Sequence, residues 1–258
     1  MIEKLLREKF GAGFGNYPVD DTKPAIIFVH GAGGSHLMWL SELRAFKNDY
    51  HPIAVNLPGH GLSPGKGCDR ISDYASFVLS FADELKLKKF FLVGLSMGGA
   101  ISQEIALTAP ERLIGLVLMS TGARLKVMPD LFTMILNNWK MYMDMFPKFA
   151  FSQNVSDSVL KLAIKDLSQR EPFVVEADFR ACDNFNRMDD VKNISVPTLI
   201  ISANLDLLTP PKYMDYLHSQ IKGSRLIKIE NAGHIVNLEK PKEVENALAE
   251  FFRDCLKK

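Results

Sequence analysis

Six short apolar runs, separated by longer segments with apolar residues at helical spacing, constrain this chain more than any other feature. The runs are AIIFV (25–29), HPIAV (51–55), FFLVG (90–94), LIGLVLM (113–119), TLIIS (198–202) and RLIKI (225–229). Most carry too little polar alternation for a sheet with one wet face, and strands buried on both faces read this way. The intervening segments include SHLMWLSELRAF, SDYASFVLSFADELKL, GGAISQEIALTAPERL, PPKYMDYLHSQI and PKEVENALAEFFRDCL. Several begin at Ser or Pro, as helix starts often do. Strands alternating with crossover helices predict an α/β fold, a doubly wound and mostly parallel sheet.

The alternation fails over residues 122–195. This interval holds no convincing strand but carries MPDLFTMILNNWKMYMDMFPKFAF and VLKLAIKDLSQR, both at helical spacing. It is too long for a connecting loop. The division expected is therefore a core domain of residues 1–121 and 196–258 with a helical cap, 122–195, inserted in it. The Met, Phe and Trp residues of the cap either pack it onto the core or line an adaptable apolar pocket.

Composition removes several functions. The 258 residues carry a formal net charge of +1, with Lys and Arg spread along the chain, so no electrostatic footprint for nucleic acid or an anionic membrane is present. Cys68, Cys182 and Cys255 fit neither a zinc site nor a disulfide framework. No stretch approaches the length of a membrane span, and the N-terminal residues lack the apolar core of a secretory signal. A cytoplasmic protein with reduced thiols is expected, monomeric or a homodimer. No cofactor or metal is expected: Gly11, Gly13 and Gly15 follow no strand, which weakens a nucleotide-loop reading.

Ligands of open parallel sheets bind beyond the carboxyl ends of the strands. There Gly94-Leu95-Ser96-Met97-Gly98 places a serine between a strand and a helix in a G-x-S-x-G pattern, whose small flanking residues allow a turn tight enough to expose the hydroxyl. The serine could alternatively cap the helix that follows. As a nucleophile it needs a base and a group to orient that base. Of the six histidines, His234 fits best, after the last strand and before the final helix, in AGHIV. His51 opens a strand at the opposite edge, His218 falls within a helix, and His30 and His60 read as braces for loops. Asp206, four residues beyond the strand at 198–202, supplies the acid, although a turn or cap role is also open to it. The other acid position, after Met119, reads STGARL and contains no carboxylate.

The order Ser96, Asp206, His234 is that of the α/β-hydrolases. From about residue 24 to 256 the chain resembles that superfamily, and in particular its capped Ser-Asp-His members. His30-Gly31-Ala32-Gly33-Gly34 matches the family's loop after the first core strand, and NLPGHGLS matches a second loop. The resemblance implies Ser96, Asp206 and His234 as catalytic residues. It implies an oxyanion hole made by the backbone N–H of Met97, the residue after the serine, and that of Ala32. One departure is the N-terminal stretch EKLLREKFGAGFGNYPVDDT, which does not read as the strand pair common in the family, so an N-terminal strand or two is expected to be missing.

Serine at the corner argues against haloalkane dehalogenases and epoxide hydrolases, which resemble this chain but use aspartate. The leading expectation is a carboxylesterase acting on small to medium esters with an apolar acyl or alcohol part. The alternatives are an enol-lactone hydrolase, a hydrolase of carbon–carbon bonds in diketones, or a triad-bearing small-molecule receptor. Cofactor-free haloperoxidases and esterases of acyl-carrier proteins share the same motifs.

Overall fold

A computed structural model describes residues 11–16 and 22–257. Seven strands form one sheet: β1 (Gly13–Phe14), β2 (Ala25–Val29), β3 (His51–Val55), β4 (Phe90–Leu95), β5 (Leu113–Met119), β6 (Thr198–Ala203) and β7 (Arg225–Ile229), in spatial order β1-β3-β2-β4-β5-β6-β7. All neighbours pair in parallel except β1 with β3. All six expected strands are present, two of them extended by one residue.

The helices of the core are α1 (Leu40–Phe46), α2 (Ile71–Glu84), α3 (Met97–Thr108), α8 (Pro211–Gln220), the short α9 (Val236–Glu239) and α10 (Pro241–Leu256). Between β5 and β6 lie α4 (Pro129–Asn137), α5 (Trp139–Ala150), α6 (Asp157–Leu167) and α7 (Pro172–Asn184). The segment 35–46, expected as one helix, is divided into a 3-10 turn, His36–Trp39, and α1. The joint is Trp39, fully buried with its ring 5.0 Å from that of Phe28.

The unbroken apolar runs have a direct explanation in the sheet's two faces. Along β2, Ala25, Ile27 and Val29 join one core, while Ile26 and Phe28 join the other. Along β4, Phe90 and Leu92 face the first core, and Phe91, Val93 and Leu95 the second. The period of two is present, but both phases are apolar because both faces are covered. The first core is closed by Tyr74, Val78 and Phe81 of α2, Ile101 and Ile105 of α3, and Met214 and Leu217 of α8. The second is closed by Leu43 and Phe46 of α1 and by Val244, Leu248, Phe251 and Phe252 of α10. Strand β7 lies at the sheet's edge, and Arg225 and Lys228 on it are exposed.

The N-terminal departure is answered in part. Residues 1–10 and 17–21 lie outside the described residues, but Gly13 and Phe14 pair antiparallel with Ala54 and Ile53. The glycines permit that approach: a Cβ at Gly13 would stand 2.7 Å from the His36 ring, and one at Gly15 2.6 Å from the Leu43 carbonyl. This short strand is made by tertiary contact, so no local alternation announces it. Among the described residues no helix is long and apolar enough to cross a membrane.

Phe252 is fully buried and meets Phe91, Phe46 and Tyr50 with ring centroids 4.5, 5.4 and 5.5 Å away. Phe252→Ala is expected to destabilise the fold by about 3–5 kcal/mol through lost burial and a residual cavity. A urea titration measures it, and a loss below about 1 kcal/mol would show that this core closes over the gap.

Candidate active site

Ser96 stands where β4 meets α3. Its N–H donates to the Met119 carbonyl at 2.9 Å, and its own carbonyl accepts from Gly99 N–H (2.9 Å) and from the Thr121 hydroxyl (2.7 Å). Its backbone has φ 57° and ψ −119°, a left-handed setting that costs a non-glycine residue of order 1–3 kcal/mol. The flanking glycines are obligatory. A Cβ at Gly94 would lie 2.1 Å from the Gly98 carbonyl oxygen, and one at Gly98 would lie 2.2 Å from that of Val29. Ser96 makes no side-chain capping bond to α3. Its side chain instead lines a cavity shared with Gly31, Ala32 and His234.

His234 follows β7 on a loop tied down from two sides. Gly233 N–H donates to Glu239 Oε1 at 2.9 Å, and Ile235 N–H to the Ala150 carbonyl at 3.1 Å. Glu239 also accepts the backbone N–H of Ser152 and its hydroxyl, which joins the end of α5 to the histidine loop. Behind the ring, His234 Nδ1 lies 2.9 and 3.0 Å from the two carboxylate oxygens of Asp206. Asp206 also accepts from Leu208 N–H (2.9 Å), Thr209 N–H (2.8 Å) and the Thr209 hydroxyl (2.8 Å). Asp206 and His234 are 3% and 5% exposed. Burial alone pushes the Asp206 carboxyl upward; the adjoining His234 and the Thr209 donors overcome it, so its pKa falls below the ordinary carboxylate value.

Ala32 lines the cavity and Met97, fully buried, is the first residue of α3. The remaining walls are almost wholly apolar: Leu37, Met38 and Leu238 from the core side, and Met134, Tyr142, Met145, Phe146 and Phe179 from the helices between β5 and β6. Met128, Phe149, Leu162 and Leu208 also line it and are partly exposed at 72, 39, 41 and 44%. Besides His234 and the Tyr142 phenol, the ionisable wall residues are Asp130 and Asp166. Asp166 is engaged at 2.6 Å by both Arg170 and the Ser35 hydroxyl. Among the described residues no group of three or more His, Cys, Asp or Glu side chains is arranged to hold a metal ion.

The other histidines sit elsewhere. His51 opens β3 and His218 lies in α8. His30 joins two loops: its Nδ1–H donates to the Gly31 carbonyl (2.8 Å) and its Nε2 accepts Leu57 N–H (3.1 Å). Burial and then the neighbouring His60 hold its pKa well below the ordinary value, so the neutral ring fits this pattern. His60 is buried against Asp178 of α7 at 2.8 Å. Sequence reasoning missed Asp178, Thr209 and Glu239. A signal existed for Asp178, which interrupts an apolar stripe of α7 made of Val174, Val175, Ala181 and Cys182.

A mostly parallel sheet that presents a serine at a strand-to-helix corner and an Asp–His pair at the same edge defines the α/β-hydrolase class of architecture. The alpha/beta hydrolase family model matches residues 26–247, and the chain belongs to that family. It is 28% identical over 250 residues to the uncharacterised hydrolase YugF of Bacillus subtilis, covering 90% of each chain. It is 26% identical to a pimeloyl-[acyl-carrier protein] methyl ester esterase of Neisseria meningitidis, covering 91% of this chain and 93% of the relative. The fold superposes on the enol-lactonase of Burkholderia xenovorans LB400 with a TM-score of 0.88 at 22% identity, covering 94% and 96% of the two chains. A further match, 36% identical over 96 residues, covers 37% of this chain; it spans only 26% of the length of the relative, an acetyltransferase component of the acetoin cleaving system of Cupriavidus necator.

The depressed pKa of Asp206 sets a sign for the pH response. Its contribution to stability is complete above the unfolded carboxylate pKa of about 3.9 and is lost as pH falls through the lower native value. Asp206→Asn is therefore expected to lower the urea midpoint at neutral pH, and the gap from wild type should narrow below about pH 4. A gap independent of pH would contradict the assignment.

Proposed function

We propose that the chain is a serine hydrolase that cleaves small to medium carboxylic esters through an acyl-enzyme. The observation that carries this reading is the meeting of Ser96 and His234 on one apolar cavity, with Asp206 bonded behind the histidine. Ser96 attacks the ester carbonyl carbon as His234 accepts its proton; His234 then protonates the departing alcohol, and a water deprotonated by the same base attacks the acyl-enzyme, freeing the acid as the proton returns to Ser96. Asp206 fixes the tautomer with Nδ1–H toward the carboxylate and steadies the imidazolium.

The tetrahedral oxyanion is held by the N–H groups of Met97 and Ala32. That of Met97 opens α3, where first-turn donors have no intrahelical acceptor and the helix dipole favours negative charge. Residues 122–195 act as a cap whose Met, Phe and Tyr side chains enclose the acyl or alcohol part. The walls named above are almost wholly apolar, Asp166 is paired with Arg170 and Asp130 is exposed. A substrate carboxylate buried against such walls would lose hydration without gaining a counterion, so an uncharged ester is the expected substrate.

The test is steady-state hydrolysis of p-nitrophenyl esters from acetate to decanoate, with Ser96→Ala and His234→Ala as controls. Turnover on uncharged esters is expected, with kcat reduced by about 10³-fold or more in either variant. A p-nitrophenyl ester ending in a carboxylate should be cleaved at least about tenfold less efficiently than the uncharged ester of equal length, because a carboxylate buried among apolar walls loses hydration without a counterion, a cost of order 1 kcal/mol or more. Folded wild-type protein with no turnover on any ester would overturn the reading and favour a lactone or carbon–carbon substrate, or a receptor.

A further inference from the structure

The loop 31–35 after β2 has each of its peptide planes held, and two of the holds come from the segment between β5 and β6. The Gly31 carbonyl accepts Gly34 N–H (3.1 Å) and His30 Nδ1–H (2.8 Å). In a trans peptide the N–H points opposite to the C=O, so these bonds turn the Ala32 N–H away from them. The next plane is held by Gly33 N–H donating to Asp178 Oδ2 at 2.8 Å, and a later one by Arg170 Nε donating to the Gly34 carbonyl at 3.3 Å. Asp178 belongs to α7 and Arg170 precedes it. At Gly33, whose φ is +68°, a Cβ would stand 2.7 Å from Leu167 Cδ1, so the loop lies directly beneath these helices.

Asp178 is an unusual residue for its place. It is fully buried within an apolar stripe, where a hydrophobic side chain would pack the helix at no desolvation cost. Three donors satisfy it: Gly33 N–H, His60 Nε2 at 2.8 Å, and the Tyr74 hydroxyl. His60 and Tyr74 are themselves fully buried. His60 Nδ1 also faces an oxygen, the Pro58 carbonyl at 3.0 Å. With the His60 ring and the Tyr74 hydroxyl anchoring the carboxylate, its remaining hydrogen bond goes to one backbone N–H, that of Gly33.

We propose that Asp178, anchored by His60 and Tyr74, is a positioning residue: from the β5–β6 helices it locks the Ala32–Gly33 peptide, the plane adjoining the one that carries the Ala32 N–H, and so holds the loop in the conformation that turns that N–H toward the reacting carbonyl at Ser96. This rests on the acyl-enzyme reading above. It makes the second oxyanion donor depend on the docking of α7, so the helices contribute to the chemical step as well as to the pocket walls.

The test compares wild type, Asp178→Ala, Asp178→Asn and Tyr74→Phe. Asp178→Ala should lower kcat on p-nitrophenyl butyrate by roughly 10–100-fold, short of the 10²–10³ for outright loss of a donor, with KM within about threefold because ground-state binding is apolar. Asp178→Asn, whose amide oxygen still accepts the Gly33 N–H, should recover most of that loss. The affinity for phenylboronic acid, which forms a tetrahedral adduct with the serine, should fall in step with kcat/KM, whereas a merely structural role would lower Tm and leave both ratios unmoved. Hydrogen exchange of the 31–35 amides should accelerate in Asp178→Ala. Should that variant not fold, Tyr74→Phe carries the same test, with a smaller kcat loss at unchanged KM. An active wild type with kcat unaltered in the folded variants would overturn the positioning role and leave the hydrolase reading intact. An inactive wild type would strike the hydrolase reading instead, and exchange at residues 31–35 would then decide whether Asp178 holds the loop, unchanged rates overturning it.

Discussion

Helix α3 approaches β2 and β4 so closely that one methyl group at Gly94 or Gly98 would stand 2.1 or 2.2 Å from a backbone carbonyl oxygen. The corner between strand and helix is consequently too short for relaxed geometry, and Ser96 takes up the difference with a positive φ. Strain of this kind persists only where the surroundings over-determine it. Here the hold is the pairing of β4 with β2 and β5, together with the bonds from Ser96 to Met119, Gly99 and Thr121. The same shortness denies the serine a capping role and leaves its side chain on the cavity. Backbone packing in the buried core thus prepares the one hydroxyl on which the proposed chemistry depends.

The partners of that serine are placed by less rigid means. Asp206 and His234 stand on loops after β6 and β7, and their relative position comes from a local net of polar bonds. Thr209 folds back to Asp206, and Glu239 gathers Gly233 and Ser152. Buried polar groups of this sort are stable because nearly every donor finds an acceptor. The net also reaches into the helices between β5 and β6, through Ser152 and through the Ala150 carbonyl that accepts Ile235 N–H. Those helices touch the site at the histidine loop on one side and at the 31–35 loop on the other. They are physically continuous with it, whatever their independence as a folding unit.

Much of this was legible in the residues. The strands were readable because burial on both faces leaves an uninterrupted apolar run, and the Gly-x-Ser-x-Gly corner because only small residues fit it. His234 and Asp206 were readable because a two-residue AG bend and a Thr-Pro helix start mark the loops after the last strands. What escaped was set by contacts distant in sequence. Strand β1 is two residues long and exists because Gly13 and Gly15 lie against His36 and Leu43. The 3-10 turn at His36–Trp39 follows from the burial of Trp39 against Phe28. Asp178 joins Gly33, His60 and Tyr74 across separations of 104 to 145 residues, and only its intrusion into an apolar stripe hinted at a task.

The sequence by itself determined the α/β alternation, the place of the helical interval, and the order and residue types of the proposed catalytic groups. These are local properties: hydrophobic periodicity, glycine at sterically closed corners, and the residues that begin helices all act within a few positions of themselves. The tertiary structure alone decided that the cavity walls formed by the described residues are almost wholly apolar, with Asp166 paired to Arg170, and that the loop bearing Ala32 is gripped from above. Side chains that share a cavity or a hydrogen bond there are brought together by the packing of β5–β6 helices onto the sheet, an arrangement governed by long-range burial and charge pairing that no short window of residues encodes.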